Sequence, residues 1–237
     1  MTIDRENRDR LAETTRRFLA EEISAFEFDE RIMDTRDHSH DPTLNAVVGS
    51  LWYFYDDLKD HTAALCKAEW DFIQRLLLIL ESDAQVHVES RRYWTPAQFA
   101  AMLVLAAYVA CAASLGFGYH LIIHSIPFGL VSILLSSWRR RYERQFASSD
   151  PLLDPFSSMS EIRAVRAAAS GFRKQRFPPH LQDVSVRSKS EHRLNRVMHY
   201  GAWLLYAPIV LAVQSLPSVQ CMTHVRIESD AHPAASL

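Results

Sequence analysis

Three groups of side chains have types and spacings that could hold a metal ion or move a proton. Asp56, Asp57 and His61 close an apolar helical pattern. Asp57 and His61 are four residues apart, so on a helix both would face one way and could offer two ligands to a divalent cation. His38 and His40 form His-x-His inside the acidic run Asp34 to Asp41, a loop that could add imidazole ligands. If the fold gathers Asp57, His61, His38 and His40, the chemistry would be metal-dependent. The plainer reading is a set of polar surface residues at helix ends, since no second helix repeats the carboxylate–His spacing. His120 and His124 lie four apart within an uncharged stretch. They read either as a proton path or as hydrogen-bond donors to a neighbouring helix. No Asp, Glu, Lys or Arg accompanies them in any apolar run, which argues against a pump or transporter. Cys66, Cys111 and Cys221 lack metal-ligand spacing and read as unpaired thiols. Walker A, G-x-G-x-x-G, H-E-x-x-H and G-x-S-x-G patterns are absent. The expectation is therefore no catalytic residue, no cofactor and no resident metal.

The elements that must carry these groups are organised around residues 97–137, which contain no Asp, Glu, Lys or Arg. As one straight helix this stretch would extend roughly 60 Å, against a hydrocarbon core of roughly 30 Å, so it must break. Gly116-Phe117-Gly118 near its middle leaves two arms of spanning length, whereas a turn at Pro127 leaves the second arm too short. The reading is a transmembrane hairpin over 96–138, opened by Thr95 at N-cap and Pro96 at N1, with Pro127 inside the second arm. Tyr93, Trp94 and Trp138 flank it as interfacial aromatics. Arg91 and Arg92 precede it, and Arg139, Arg140 and Arg141 follow. Both basic ends are expected on the cytoplasmic side, the three following arginines at lipid-headgroup level. Ala106, Ala110 and Ser114 form a small-xxx-small stripe for packing against another span or a second copy of the chain. A third uncharged run, 199–217, reads as a further transmembrane helix, weakened by Pro208 and Gln214. The alternative is a re-entrant or interfacial helix. With three spans, the N-terminus would be inside and the C-terminus outside.

Charge divides the remainder. Residues 1–95 carry a net −8 and residues 138–198 a net +7, while the whole chain is −2. The acidic part, 1–83, reads as a cytoplasmic helical bundle and excludes a nucleic-acid footprint. Its helices are expected over 4–22; from Ser24 at N-cap to about Arg36; from Asp41-Pro42 through Leu51, Trp52, Tyr55 and Leu58; and over about 64–81 with Trp70, Ile73 and Leu77. Trp52 and Trp70 are both assigned to the core. Residues 84–95, although partly alternating, read as a linker. Residues 139–198 read as a basic cytoplasmic loop. Within it a short helix opens at Ser158 and either lies on anionic lipid or is a solvated connector, and Arg173, Lys174 and Arg176 are the groups expected to reach the acidic bundle. Residues 218–237 read as a flexible tail. The charged opening, MTIDRENRDR, has no apolar core of a cleavable signal.

The stretch LAETTRRFLAEEISAFEFDERIMD, residues 11–34, resembles the opening of the colicin-D-type bacterial immunity proteins. That resemblance implies a small, acidic, helical, non-enzymatic module that neutralises a toxin by binding it. DPFSSMSEIRAVR and GFRKQRFPPHL resemble segments of bacterial membrane proteins of unknown function. The combined expectation is an all-α, multi-pass protein of the bacterial inner membrane. Its leading role is non-catalytic presentation of a helical interaction domain, to a protein partner and beside anionic lipid. Membrane-tethered immunity and a metal-dependent membrane enzyme are the alternatives.

Overall fold

A computed structural model describes residues 3–56, 58–116, 118–146, 152–182 and 184–227. The chain forms two compact units. The first gathers three stretches, 1–89, 149–186 and 223–237; the second gathers 90–148 and 187–222.

In the first unit, α1 (Arg5–Leu19) begins where the Asp4 side chain accepts from the Asn7 backbone N–H, and Arg16 and Arg17 stand in its last turn, favourable to the helix dipole. It ends in a turn with Glu21 at φ 60°, the Glu22 N–H reaching back to the Arg17 carbonyl at 2.9 Å. Glu21 thus occupies the left-handed position that glycine usually fills after a helix. α2 (Ala25–Asp37) is capped by Ser24, and α3 (Pro42–Leu51) by Asp41 with Pro42 in its first turn. α4 (Lys67–Leu80) starts where Glu69 Oε2 accepts from the Cys66 N–H at 2.7 Å. Leu11, Phe18, Phe28, Ile32, Leu44 and Leu77 are among the side chains that fill the space between these helices. The Phe18 and Phe28 rings stack at 4.4 Å.

The third helix stops at Leu51, not Leu58. A single 3-10 turn, Trp52–Phe54, follows, and Tyr55 is extended. Local bonds compete with the helix here. The Tyr55 hydroxyl donates to Asp29, and the Asp56 side chain accepts from the Leu58 N–H at 3.0 Å. Trp52 is consequently 49% exposed, and its assignment to the core is corrected; Trp70, at 2%, is core.

The basic stretch 152–182 is a structural part of this unit, not a surface loop. Its helix, α7 (Met159–Ala168), turns Val165 into the core beside α4 and is neither a solvated connector nor a helix lying apart on lipid. Phe156, Phe172 and Leu181 join the same core. The Trp70 indole N–H donates to the Gln175 carbonyl at 3.1 Å, the Gln175 N–H donates to Gln74 Oε1 at 2.8 Å, and Lys174 pairs with Asp71 at 2.6 Å. Of the three basic residues expected to meet the bundle, Lys174 does so.

The expectation of an all-α chain also needs correction. Residues 84–93 form β1 (Ala84–Tyr93) instead of a linker, and the whole described part of the tail forms β2 (Ser218–Ile227), which pairs with β1. Each strand satisfies the other's backbone groups, and Val86 and Val225 are buried in the helical core.

In the second unit, α5 (Pro96–Leu115) opens with the Thr95 N–H donating to Gln98 Oε1, and ends at Gly116, whose φ of 77° suits glycine. α6 (His120–Phe146) contains Pro127 without interruption. Phe117 lies outside the described residues; Gly116 and Gly118 flank it between the two helices. α8 (Lys189–Leu205) and α9 (Ala207–Gln214) follow, bent by 85° at Tyr206. Two helices, α5 and α6, are long and apolar enough to cross a membrane, or three spans result if the bent pair counts as one. The third span expected over 199–217 thus falls on a bent pair, and counts as a span only if that pair is taken as one.

Candidate functional site

The candidate metal ligands among the described residues, His61, His38 and His40, are not drawn into one centre. His61 has both ring nitrogens committed to backbone: Nε2 accepts from the Asp56 N–H at 2.9 Å, and Nδ1 faces the Thr62 carbonyl, which fixes the proton on Nδ1. The His38 ring caps its own helix, with Nδ1 2.8 Å from the Asp34 carbonyl. His40 is exposed, and Asp57 lies outside the described residues. No group of three His, Cys, Asp or Glu able to hold a metal occurs among the described residues.

The loop around His38 and His40 instead delivers its alternate residues, Ser39 and Asp41, to the interior. Arg8, fully buried, donates Nε to Asp41 Oδ2 at 2.6 Å and Nη2 to Oδ1 at 3.2 Å. Its Nη1 donates to the carbonyls of Ser82 and Ala84 at 3.1 and 2.8 Å. Asp41 also accepts from the Thr43 N–H, and Ser39 donates to Asp4 at 2.8 Å. Burial pushes the Asp41 carboxyl up, but the Arg8 hydrogen bonds and charge outweigh it and hold the group below the usual carboxylate range. This network ties α1, α3 and the start of β1 together, and its polar atoms are spent on one another. It is architecture, not a reaction centre.

The stronger candidate is the loop after α3. Trp52, Tyr53 and Leu58 are 49%, 81% and 78% exposed, and Phe26, at the N-terminus of α2, is 46% exposed. The backbone beneath them is fixed. His61 O accepts from the Ala25 N–H at 2.8 Å, and Asp60 Oδ1 accepts from the Phe26 N–H at 3.2 Å. The Ser24 hydroxyl and Phe26 N–H hold the Asp60 carboxyl below its ordinary value, as suits an anion at a helix N-terminus. His61, chosen in the sequence for its metal chemistry, is the hydrogen-bonded strut of this loop. Beside it α2 carries Glu27, Asp29, Glu30, Asp34 and Asp37 against Arg31 and Arg36. The result is a set of large apolar side chains on a braced loop with an acidic border. Helical periodicity hid this feature, because Trp52, Tyr55 and Leu58 continue the apolar spacing of α3. The acidic cluster Asp56, Asp57 and Asp60 was the available contrary signal.

In the second unit, Ala106, Ala110 and Ser114 lie on the exposed side of α5, whose buried residues are Ala97, Gln98, Ala101 and Ala112. Arg139 pairs with Glu143 at 2.8 Å, while Arg140 and Arg141 are exposed. His120 Nε2 lies 3.0 Å from the Gly116 carbonyl and His124 Nδ1 3.0 Å from the His120 carbonyl. Each ring thus closes onto backbone one turn earlier. Gly129 and Ser132 receive the end of α8: a Cβ on Gly129 would come within 2.8 Å of the Leu204 backbone, and the Trp203 indole donates to Ser132 Oγ at 2.7 Å. Gln214 of α9 donates to the Ser132 carbonyl at 3.1 Å. Ser218 Oγ then lies 2.8 Å from Gln98 Nε2, in the first turn of α5, and 3.5 Å from Glu143, near the end of α6.

No family model, curated protein or solved structure matches this chain.

Proposed function

We propose that this is a non-catalytic protein of the bacterial inner membrane that presents its helical unit at the cytoplasmic face, where the loop 52–62 docks a basic polypeptide segment. The observation that carries this reading is the exposure of Trp52, Tyr53, Leu58 and Phe26 on a hydrogen-bonded loop next to the acidic helix α2. Trp and Tyr anchors supply most of the energy of typical interfaces, and an acidic border selects and steers a basic partner.

The anchoring we propose is a hairpin of two crossings, α5 and α6, plus a re-entrant pair, α8 and α9. Arg91, Arg92 and Arg139–Arg141 support a cytoplasmic position for the charged end of the hairpin, by the positive-inside rule. At about 1.5 Å per residue, Gly129 lies roughly 14 Å along α6 from Trp138, so the contact of Leu204 with Gly129 would put the end of α8 about half-way across a core of roughly 30 Å. The 85° bend, the Gln214–Ser132 bond and the return of Ser218 to Gln98 and Glu143 support an exit on the side of entry. Leu194, Val197, Met198 and Leu205 of α8 are exposed, as lipid-facing side chains would be. In this arrangement β1 and β2 meet on one side of the membrane, and the outside location first expected for the C-terminal segment is replaced by a cytoplasmic one.

The docking role is tested in native membranes with a photo-crosslinking residue at Tyr53 and, as a control, at the exposed Glu13 of α1. The Tyr53 position should give discrete protein adducts at least about five-fold more abundant, with Lys/Arg-rich crosslinked peptides, reduced at high salt and by Glu30→Lys with Asp34→Lys. Equal adducts from both positions, or adducts indifferent to salt and to charge reversal, would overturn the reading.

A further inference from the structure

A second feature of the helical unit is a cleft between α4 and the 152–174 stretch, with a volume of about 210 Å³. Its walls are apolar at Leu78, Ile162 and Phe172. Its polar lining is unevenly charged. Arg75, Arg166 and Lys174 face it together with a single carboxylate, Asp71. That carboxylate is shared between two ammonium groups, Lys174 at 2.6 Å and Lys67 at 2.8 Å. Arg75 spends its Nε on the Asp154 carbonyl at 2.6 Å and lies over the Phe72 ring. Arg166 pairs with no carboxylate among the described residues.

One buried group in this wall lacks its complement. Gln74 is 2% exposed; its Oε1 accepts from the Gln175 N–H, which fixes the amide orientation and leaves Nε2 buried without a partner. A buried amide donor left unmade costs free energy that an incoming acceptor recovers. An acceptor that also neutralises Arg166 is an anion, and the adjoining apolar wall suits a hydrocarbon body.

We propose that this cleft binds a small amphipathic anion, a carboxylate on a short alkyl chain. Its oxygens would take the Gln74 amide N–H and the Arg166 guanidinium while the chain covers Leu78, Ile162 and Phe172. The volume corresponds to on the order of seven water-sized groups, so a six-carbon chain fits better than a long acyl chain. The site is independent of the aromatic loop and would stand if docking at that loop failed.

The test uses the full chain in phosphatidylcholine nanodiscs, with empty nanodiscs subtracted, titrated by calorimetry with hexanoate, 1-hexanol, hexylammonium and acetate. Hexanoate should bind saturably at one site per chain, at least about ten-fold tighter than the other three probes. Arg166→Glu, an exposed position on α7 that leaves the core untouched, should weaken hexanoate at least about ten-fold while melting as the wild type does. If hexanoate binds no better than to empty discs, if hexanol binds equally well, or if Arg166→Glu binds hexanoate like the wild type, the proposal is wrong. An Arg166→Glu chain that loses its fold is replaced by Arg166→Gln under the same criterion.

Discussion

Arg8→Met destabilises the protein by about 3–5 kcal/mol, the cost of leaving a buried charge without its partner. Asp41 would remain 3% exposed, with only the backbone N–H groups of Thr43 and Asp4 for its charge, and the carbonyls of Ser82 and Ala84 would lose their Arg8 donor. Asp41→Asn should also destabilise, because Arg8 then stays buried as an uncompensated cation. The pair Arg8→Met with Asp41→Asn should lose less than the sum of the single changes, since neither leaves a lone charge. Urea unfolding of the full chain, followed by tryptophan fluorescence, measures all three. The same pair sets an acid dependence. The Asp41 carboxyl is depressed in the folded protein, so its contribution is fully present above the ordinary aspartate value of about 3.9 and is lost as pH falls through the folded value. Glu81 works in the opposite direction, its carboxyl being raised chiefly by burial despite Arg16 and Arg5. Comparison with Asp41→Asn holds Glu81 constant. The variant should lose less stability than the wild type between pH 5 and about pH 3, and equal losses would remove Asp41 from the acid response.

Trp70→Ala should cost about 3–5 kcal/mol, whereas Trp52→Ala should stay within about 1 kcal/mol. The Trp70 ring is 2% exposed, meets the Phe177 ring edge-on at 5.9 Å, and its indole N–H holds the Gln175 carbonyl. Its removal leaves a cavity and also loosens the stretch 152–182 from α4. Trp52 is half exposed, so truncation returns little apolar surface to water. The contrast can be read from the same urea curves. Similar losses in the two variants would place the Trp52 loop in the core and remove the proposed docking face.

Periodicity and capping made the helices legible. Ser24 and Glu27, Asp41 and Pro42, Ser158 and Glu161, and Thr95 with Pro96 all mark helix starts that the structure contains. The hairpin glycine was legible because an uncharged run of that length has to turn. What the sequence concealed was non-local. The 84–90 alternation fits a strand only if a partner exists, and that partner lies at 218–227, beyond every helix. Basic residues at 163–176 looked surface-bound. Yet Ile162, Val165 and Phe172 complete a core that four N-terminal helices leave open, and Lys174 finds Asp71 across about a hundred residues. Trp52, Tyr55 and Leu58 matched a helical face, but the Asp56 side chain and His61 claimed the backbone groups that a longer helix needed. For the candidate site, the histidines and aspartates stood out by type, whereas their roles as strut and cap depend on neighbours that spacing cannot reveal.

In the proposed topology the hairpin alone crosses the membrane and the rest of the chain lies on one side. Single cysteines at Glu89, Tyr119 and Arg226, in a chain whose Cys66, Cys111 and Cys221 are replaced by serine, test it with a membrane-impermeant maleimide on intact and opened vesicles. Glu89 precedes α5, Tyr119 is 93% exposed at the hairpin turn, and Arg226 is exposed in β2. Glu89→Cys and Arg226→Cys should label from the same side and Tyr119→Cys from the other. Labelling of Arg226→Cys together with Tyr119→Cys would make α8 and α9 a true third span and contradict this topology.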